Sequence, residues 1–176
     1  MTDEPFTIRR ARTGDVDRIE ALVAPLVAKR ILLGKDRAVL FGAVPEFRVA
    51  ETPDGGVIAC GAVHVIWEEL GEVRTLAVDP LWRKQRVGHA MLQRLEAEAR
   101  ELGLTRLFCL TFEVDFFTAH GFTAVSDGIV GPDVYAELAR SGDEGVAEFL
   151  DLARVKPNTL GNTRMLKSLE TPAVPA

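Results

Sequence analysis

Residues 72–88 read Glu72-Val73-Arg74-Thr75-Leu76-Ala77-Val78-Asp79-Pro80-Leu81-Trp82-Arg83-Lys84-Gln85-Arg86-Val87-Gly88. A stretch of strand character stops at Asp79-Pro80, where proline removes a ladder donor and restricts the residue before it. A polar, basic loop follows and opens an amphipathic helix in which Met91, Leu95 and Leu102 mark the buried face, Glu96 and Arg100 pair outside it, and Gly103 ends it. A strand end, a loop and a helix start together form a geometry in which free backbone N–H groups and the positive end of the helix dipole meet an anion. Arg83, Lys84 and Arg86 add cationic side chains there. Cations are disfavoured at a helix N-terminus by about 0.3–1 kcal/mol each, so their clustering wants a reason. Phosphate binding is one reading and a solvated basic helix start is the other.

Upstream, Thr7 to Arg10 reads as a short strand, and Thr13-Gly14-Asp15 offers caps to a helix with Val16, Ile19, Val23 and Val27 about a turn apart. From Ala28 to Val44 the pattern is helical but broken by Gly34 and Gly42. Phe47 to Glu51 and Val57 to Trp67 are rich in β-branched and aromatic residues, and Pro53-Asp54-Gly55-Gly56 between them has hairpin chemistry. With Glu72 to Val78 they predict a three-strand meander. Downstream, Arg106 to Thr111 reads as a strand, Asp115 to His120 as a short helix and Gly121 to Val125 as the start of another strand. Helices follow near 133–140 and 143–149, then a closing segment from Leu150 to Leu169 punctuated at Pro157-Asn158 and Gly161-Asn162. The fold class is mixed α/β, a mostly antiparallel central sheet flanked by helices, in one domain over residues 1–169 with a loose tail at 170–176.

The loop resembles the motif of the GNAT acetyltransferases, which reads Val-x-Pro, two residues, then Arg/Gln-x-x-Gly-x-Gly/Ala; here it is Val78 to Gly88, with Arg86 where the family usually has the middle glycine. A β-carbon there crowds the phosphate or strains the backbone, and its guanidinium compensates by binding the same phosphate. Phe116-Phe117-Thr118-Ala119-His120-Gly121-Phe122 is similar to a second family segment, and strand order and helix positions agree over about residues 7 to 125. The resemblance implies the GNAT fold and acetyl-CoA as cosubstrate, with the amides of Arg83, Lys84, Gln85, Arg86, Val87, Gly88 and His89 on its pyrophosphate. It also implies that Leu76, Ala77 and Val78 carry the pantetheine arm and the acetyl oxygen. A homodimer is implied in the same way.

A closer resemblance is to the short, stand-alone N-acetylglutamate synthases. It rests on Gly71 to Pro80, on Leu110-Thr111-Phe112-Glu113, on His120-Gly121-Phe122 and on Lys156 to Leu166. It implies acetyl transfer to the α-amino group of L-glutamate or L-glutamine, the opening step of arginine biosynthesis. The attacking amine must first lose a proton, and Glu72 is the candidate base. Period-two alternation puts Glu72, Arg74, Leu76 and Val78 on one strand face; an ion pair between Glu72 and Arg74 on an exposed strand is the plain alternative. Many GNAT enzymes have a tyrosine that protonates the leaving sulfur, but Phe117 stands in its place and Tyr135 lies outside the motif. Thr111 corresponds to the acid proposed for the longer synthases, or simply caps its strand. Lys35, Arg74 and Arg164 are the cations for the substrate carboxylates, against the alternative of solvated surface charges. His64 and His89 read as packing or surface groups.

Composition bounds the rest. The chain has 176 residues, 47% hydrophobic and 27% charged, with a formal charge of −5. That suits one globular domain and gives no reason to expect nucleic acid or an anionic membrane as partner. Cys60 and Cys109 lie in apolar stretches and read as buried free thiols, away from any basic neighbourhood that would make a nucleophile. The three histidines show no metal-ligand spacing, so no metal is expected. The acidic start is unlike a signal peptide, and a cytoplasmic protein follows from the sequence. Two other functions stay open: a GNAT acting on another small amine or a protein amino terminus, and a non-catalytic acyl-CoA-binding sensory module.

Overall fold

Strand β1 (Thr7–Arg10) runs antiparallel to β2 (Phe47–Glu51), which pairs with β3 (Val57–Trp67), which pairs in turn with β4 (Leu70–Val78). The expected meander is thus present, with β1 added at its edge. Between β2 and β3 the Thr52 N–H donates to the Gly56 carbonyl, the Gly55 N–H donates to the Thr52 carbonyl, both at 2.9 Å, and Gly55 takes φ +86°, which glycine alone adopts without strain. The computed structural model describes residues 5–126, 128–152 and 161–169. They form two units: one running to Leu107 and including Leu169, the other from Phe108 to Ser168.

In the first unit each sheet face has its own cover. Helices α1 (Val16–Ala28) and α2 (Arg37–Ala43) contribute Val16, Ile19, Leu22 and Leu40 to a core with Phe47, Val49, Cys60, Ala62 and Ala77. The broken region after α1 is helical only over α2 and a single 3-10 turn at Val44–Glu46. On the other face lies α3 (Val87–Glu101), whose Met91, Leu92 and Leu95 are fully buried. Burying each such side chain stabilises by about 1.5–3 kcal/mol. The approach is close: a β-carbon on Gly61 would lie 2.9 Å from Leu95 Cδ1. Leu102, expected in this buried face, is 54% exposed because it follows the last turn, whereas Glu96, expected outside, is buried although it does meet Arg100 at 3.8 Å.

Charge fastens the first unit's edge. The Arg9 guanidinium reaches Asp15 at 2.7 Å and Glu51 at 2.6 Å, tying β1 to β2 and to the turn before α1. The same guanidinium holds both carboxyls below their ordinary values. Arg48 of β2 and Glu98 of α3 form a buried ion pair beneath the sheet, and Arg48 also donates to the Phe47 carbonyl at 2.7 Å.

Strand β5 (Arg106–Thr111) starts in the first unit, where the N–H groups of Thr105 and Arg106 both donate to the Glu69 carbonyl at 3.0 Å. The second unit continues through α4 (Val114–Ala119), β6 (Thr123–Ala124), α5 (Pro132–Leu138), α6 (Glu144–Phe149) and β7 (Thr163–Ser168). Its strand order is β5-β7-β6, with Thr123 opposite Leu166. Strand β7 was not expected; only Met165 of it is buried, so its sequence lacks the apolar alternation that announces a strand. Edge-to-face rings fill this unit: Phe117 on Phe122 at 5.1 Å and Phe108 on Phe149 at 4.9 Å. The punctuation at Pro157-Asn158 and the tail at 170–176 lie outside the described residues.

Candidate active site

Strand β4 bears Glu72 and Arg74, and two irregularities decide where its side chains go. Beside the Glu68-Glu69 turn, β3 has one extra residue between Val65, which faces Gly71, and Trp67, which faces Leu70. Further along, Ala62 faces Arg74 while Cys60 faces Ala77, so Thr75 and Leu76 together oppose Gly61. Thr75 sits in this second bulge at φ +56°, an outlier for a β-branched residue that costs about 1–3 kcal/mol. Its carbonyl lies 3.5 Å from Cys60 Sγ.

The bulge corrects the single-face expectation. Glu72 and Arg74 do share a face, and Arg74 Nε donates to Glu72 Oε2 at 2.5 Å. Beyond Thr75 that face is continued by Ala77, which packs in the α1 and α2 core. Leu76 turns instead to the α3 side, where its Cδ1 lies 3.2 Å from the β-carbon position of Gly61. An extra residue inverts the alternation, so Leu76 and Val78 no longer follow Glu72. Nor is the ion pair an exposed one: the side chains of Arg74 and Glu72 are only 8% and 7% exposed.

After β4 the chain is pinned before it loops. Asp79 donates its N–H to the Ile58 carbonyl at 2.8 Å, and its carboxylate accepts from the Leu81 N–H at 3.0 Å and from Arg18 at 2.6 Å. The Leu81 N–H, with Arg18 adding to it, holds the Asp79 carboxyl below its usual range. Then Lys84 and Arg86 both take left-handed backbone, each at φ +62°. Arg86 is the N-cap of α3, no side chain caps the helix there, and the first N–H groups of Val87 and Gly88 precede any intrahelical partner. Arg83, Lys84, Gln85 and Arg86 are all exposed around this opening, and Gln85 steadies the turn by donating to the Leu81 carbonyl at 3.0 Å. Backbone that alternates into the left-handed region in front of a helix N-terminus forms a concavity lined with N–H donors, suited to a phosphate.

The remaining expected residues divide. Lys35 is half-buried in the connection before α2, whose Leu40 packs on the sheet face that bears Glu72 and Arg74. Thr111 ends β5 in the second unit, where its hydroxyl accepts from the Glu113 N–H at 2.8 Å; that bond leaves its own proton uncommitted. Arg164, also in the second unit, is engaged by protein groups: it donates to the carbonyls of Glu148 and Phe149 at the end of α6 and lies 5.3 Å over the Phe108 ring. A guanidinium so placed supports a helix C-terminus. Cys60 is buried and its thiol is pushed up to about 12 by desolvation, which removes it as a nucleophile at neutral pH. Tyr135 lies on α5 and is half-exposed. Among the described residues no cluster of three metal-ligating side chains occurs.

One pair was missed. His64 on β3 lies directly opposite Glu72, and its Nδ1 is 2.9 Å from Glu46 Oε1. Had β3 and β4 paired without the extra residue at Ile66, His64 would face Val73 and point away. The signal is thus a bulge that the sequence does not mark.

Comparison with known proteins bears directly on this arrangement. Residues 31–123 match the model of the acetyltransferase (GNAT) family. An amino-acid acetyltransferase of Mycobacterium tuberculosis is 52% identical over 172 residues, covering 94% of this chain and 98% of its own. An amino-acid acetyltransferase of Pseudomonas putida is 39% identical over 124 residues, covering 69% of this chain but 28% of its own. Among solved structures, Rv2747 from Mycobacterium tuberculosis in complex with CoA and NLQ superimposes with a TM-score of 0.90 at 53% identity, over 93% of this chain and 99% of that one. The N-acetylglutamate synthase of Neisseria gonorrhoeae, complexed with coenzyme A and N-acetyl-glutamate, gives 0.75 at 26% identity over 94% of this chain and 35% of its own. This chain belongs to the GNAT acetyltransferase family.

Proposed function

We propose that this family member is an acetyl-CoA-dependent amino-acid N-acetyltransferase whose acceptor is L-glutamate or L-glutamine, and that it serves the opening step of arginine biosynthesis. The observation that carries the reading is the buried Glu72–Arg74 pair on the strand that runs, past a strained bulge, into a phosphate-suited turn. The 52% identity to an amino-acid acetyltransferase over nearly the whole chain supports it.

The groups present fit the cosubstrate. The amides of Val87 and Gly88, with Arg83, Lys84 and Arg86 around them, would hold the pyrophosphate, and the end of β4 from Leu76 to Val78 would carry the arm. Acetyl-CoA supplies an acetyl thioester. Glu72 would take the proton from the substrate ammonium, freeing the nitrogen lone pair for the acyl carbon that the cosubstrate would supply, with its thiol as leaving group. The leaving thiol has an ordinary pKa near 8.5, so acid assistance is a modest requirement, and Thr111 stands as the donor that the family resemblance names. Arg74 and Lys35 are the candidate partners of the substrate carboxylates. Arg164, which also donates to the Glu148 carbonyl, is the third candidate cation.

Thiol release from acetyl-CoA with glutamate, glutamine, aspartate and ornithine at about pH 8 tests this. Selective turnover with glutamate or glutamine is expected, and Glu72→Gln is expected to lower kcat by about 100- to 1000-fold while acetyl-CoA still binds. Turnover confined to another amine would replace the substrate assignment. Binding without turnover on any amine would make the chain a binding module.

A further inference from the structure

The proposed base is buried, and a proton placed on it needs a way out. The Glu72 side chain is 7% exposed, while that of His64, directly across on β3, is 24% exposed and that of Glu46 beyond it 34%. Residues directly opposite on antiparallel strands hold their β-carbons about 4.5–5.5 Å apart, within reach of a carboxylate and an imidazole or of one water between them. A carboxylate oxygen accepts, so the contact of Glu46 Oε1 with His64 Nδ1 at 2.9 Å makes Nδ1 the protonated nitrogen and leaves the Nε2 lone pair as the acceptor. A carboxylate behind a histidine fixes ring and tautomer and stabilises the imidazolium once formed. The charged groups facing the ring are Glu46 from the turn before β2, and Glu72 and Arg74 from β4.

We infer that His64 is the second station of the proton's path: Glu72 takes the ammonium proton, His64 Nε2 receives it from Glu72, and the imidazolium, held by Glu46, gives it to solvent. One N–H breaks on the substrate, one O–H forms and breaks on Glu72, and one N–H forms and breaks on His64, so both side chains end each cycle as they began. His64 is here a positioning and relay residue that does not touch the acetyl group. The inference rests on the assignment of Glu72 as base.

The test uses the full chain and whichever amine the panel above shows to be acetylated. His64→Gln is expected to lower kcat by about 10- to 100-fold near neutral pH, to leave acetyl-CoA affinity within about twofold, and to recover as pH or added imidazole concentration rises. Glu46→Gln, a partly exposed change that spares folding, is expected to lower kcat less than His64→Gln, because the ring keeps its Nε2 acceptor and loses only the carboxylate behind it. Full activity of His64→Gln would overturn the inference. So would a loss that neither pH nor imidazole relieves, which marks a structural role. Failure of Glu72→Gln to affect kcat would instead overturn the base assignment beneath it, and no turnover with any amine would remove both.

Discussion

Arg86 gives the sharpest single prediction, because strain and cofactor binding pull its substitution in opposite directions. It caps α3 at φ +62° and ψ 8°, a left-handed conformation that costs a residue with a β-carbon about 1–2 kcal/mol and a glycine nothing. Glycine gives part of that back through the greater freedom of its unfolded chain, about 0.5–1 kcal/mol. The net expectation for Arg86→Gly is therefore a gain of about 0.75 kcal/mol at the midpoints of those ranges, which for a chain of this length raises Tm by roughly 1.5–3 °C. Removing the guanidinium from an exposed phosphate contact is expected to weaken acetyl-CoA by about tenfold. Arg86→Ala separates the two effects, since it loses the guanidinium but keeps the β-carbon and its strain. Thermal melting of the free protein, with acetyl-CoA titrated calorimetrically, reads both. A variant with glycine that melts at or below the parent would refute the strain argument. Unchanged acetyl-CoA affinity in Arg86→Ala would refute the phosphate contact.

Two further outcomes follow from the first unit alone. Arg9 holds Asp15 and Glu51 below their unfolded values of 3.8 and 4.5, so their contribution is complete above those values and is lost as pH falls through the lower folded ones. Arg9→Met is expected to melt a few degrees lower at pH 7 and to show a shallower fall of Tm below about pH 4.5; an equal acid slope in both proteins would contradict the pairing. Gly71→Ala would bring a β-carbon to 2.6 Å of Leu104 Cδ1, a side chain only 3% exposed, so the neighbour has nowhere to move. A loss of about 1–3 kcal/mol in urea unfolding is expected, and a neutral result would mean that β4 and the start of β5 adjust more freely than their packing indicates.

The sequence makes the meander and the anion loop legible because both are written in local chemistry. Pro53 to Gly56 fixes a turn, Pro80 stops a strand, and a basic run before Val87 marks a helix start that no side chain caps. Face assignment is another matter. Strand alternation places Leu76 beside Arg74 only if no residue is inserted, and no residue pattern marks that Thr75 and Leu76 together oppose Gly61. His64 was passed over for the same reason, since its partner across the ladder depends on the bulge near Ile66. Arg164 shows a third kind of blindness: no local pattern says that its guanidinium meets the carbonyls that end α6.

These irregularities make more sense as parts of a reaction site than as elements of stability. A buried ion pair roughly breaks even against apolar residues of the same shape, because desolvation offsets the attraction, and breaking it by losing one partner is what costs. The Glu72–Arg74 pair therefore contributes little to folding, and the Thr75 backbone beside it is a direct cost. What the bulge does achieve is a division of β4. Residues before it keep a carboxylate and a guanidinium on the face covered by α1 and α2, and Leu76 after it turns to the α3 side, where the strand leads into the anion loop. Holding a carboxylate and a guanidinium on one side of the inserted residue and the start of the basic loop on the other ties both to one rigid element, and the strained Thr75 backbone between them is the cost of that placement.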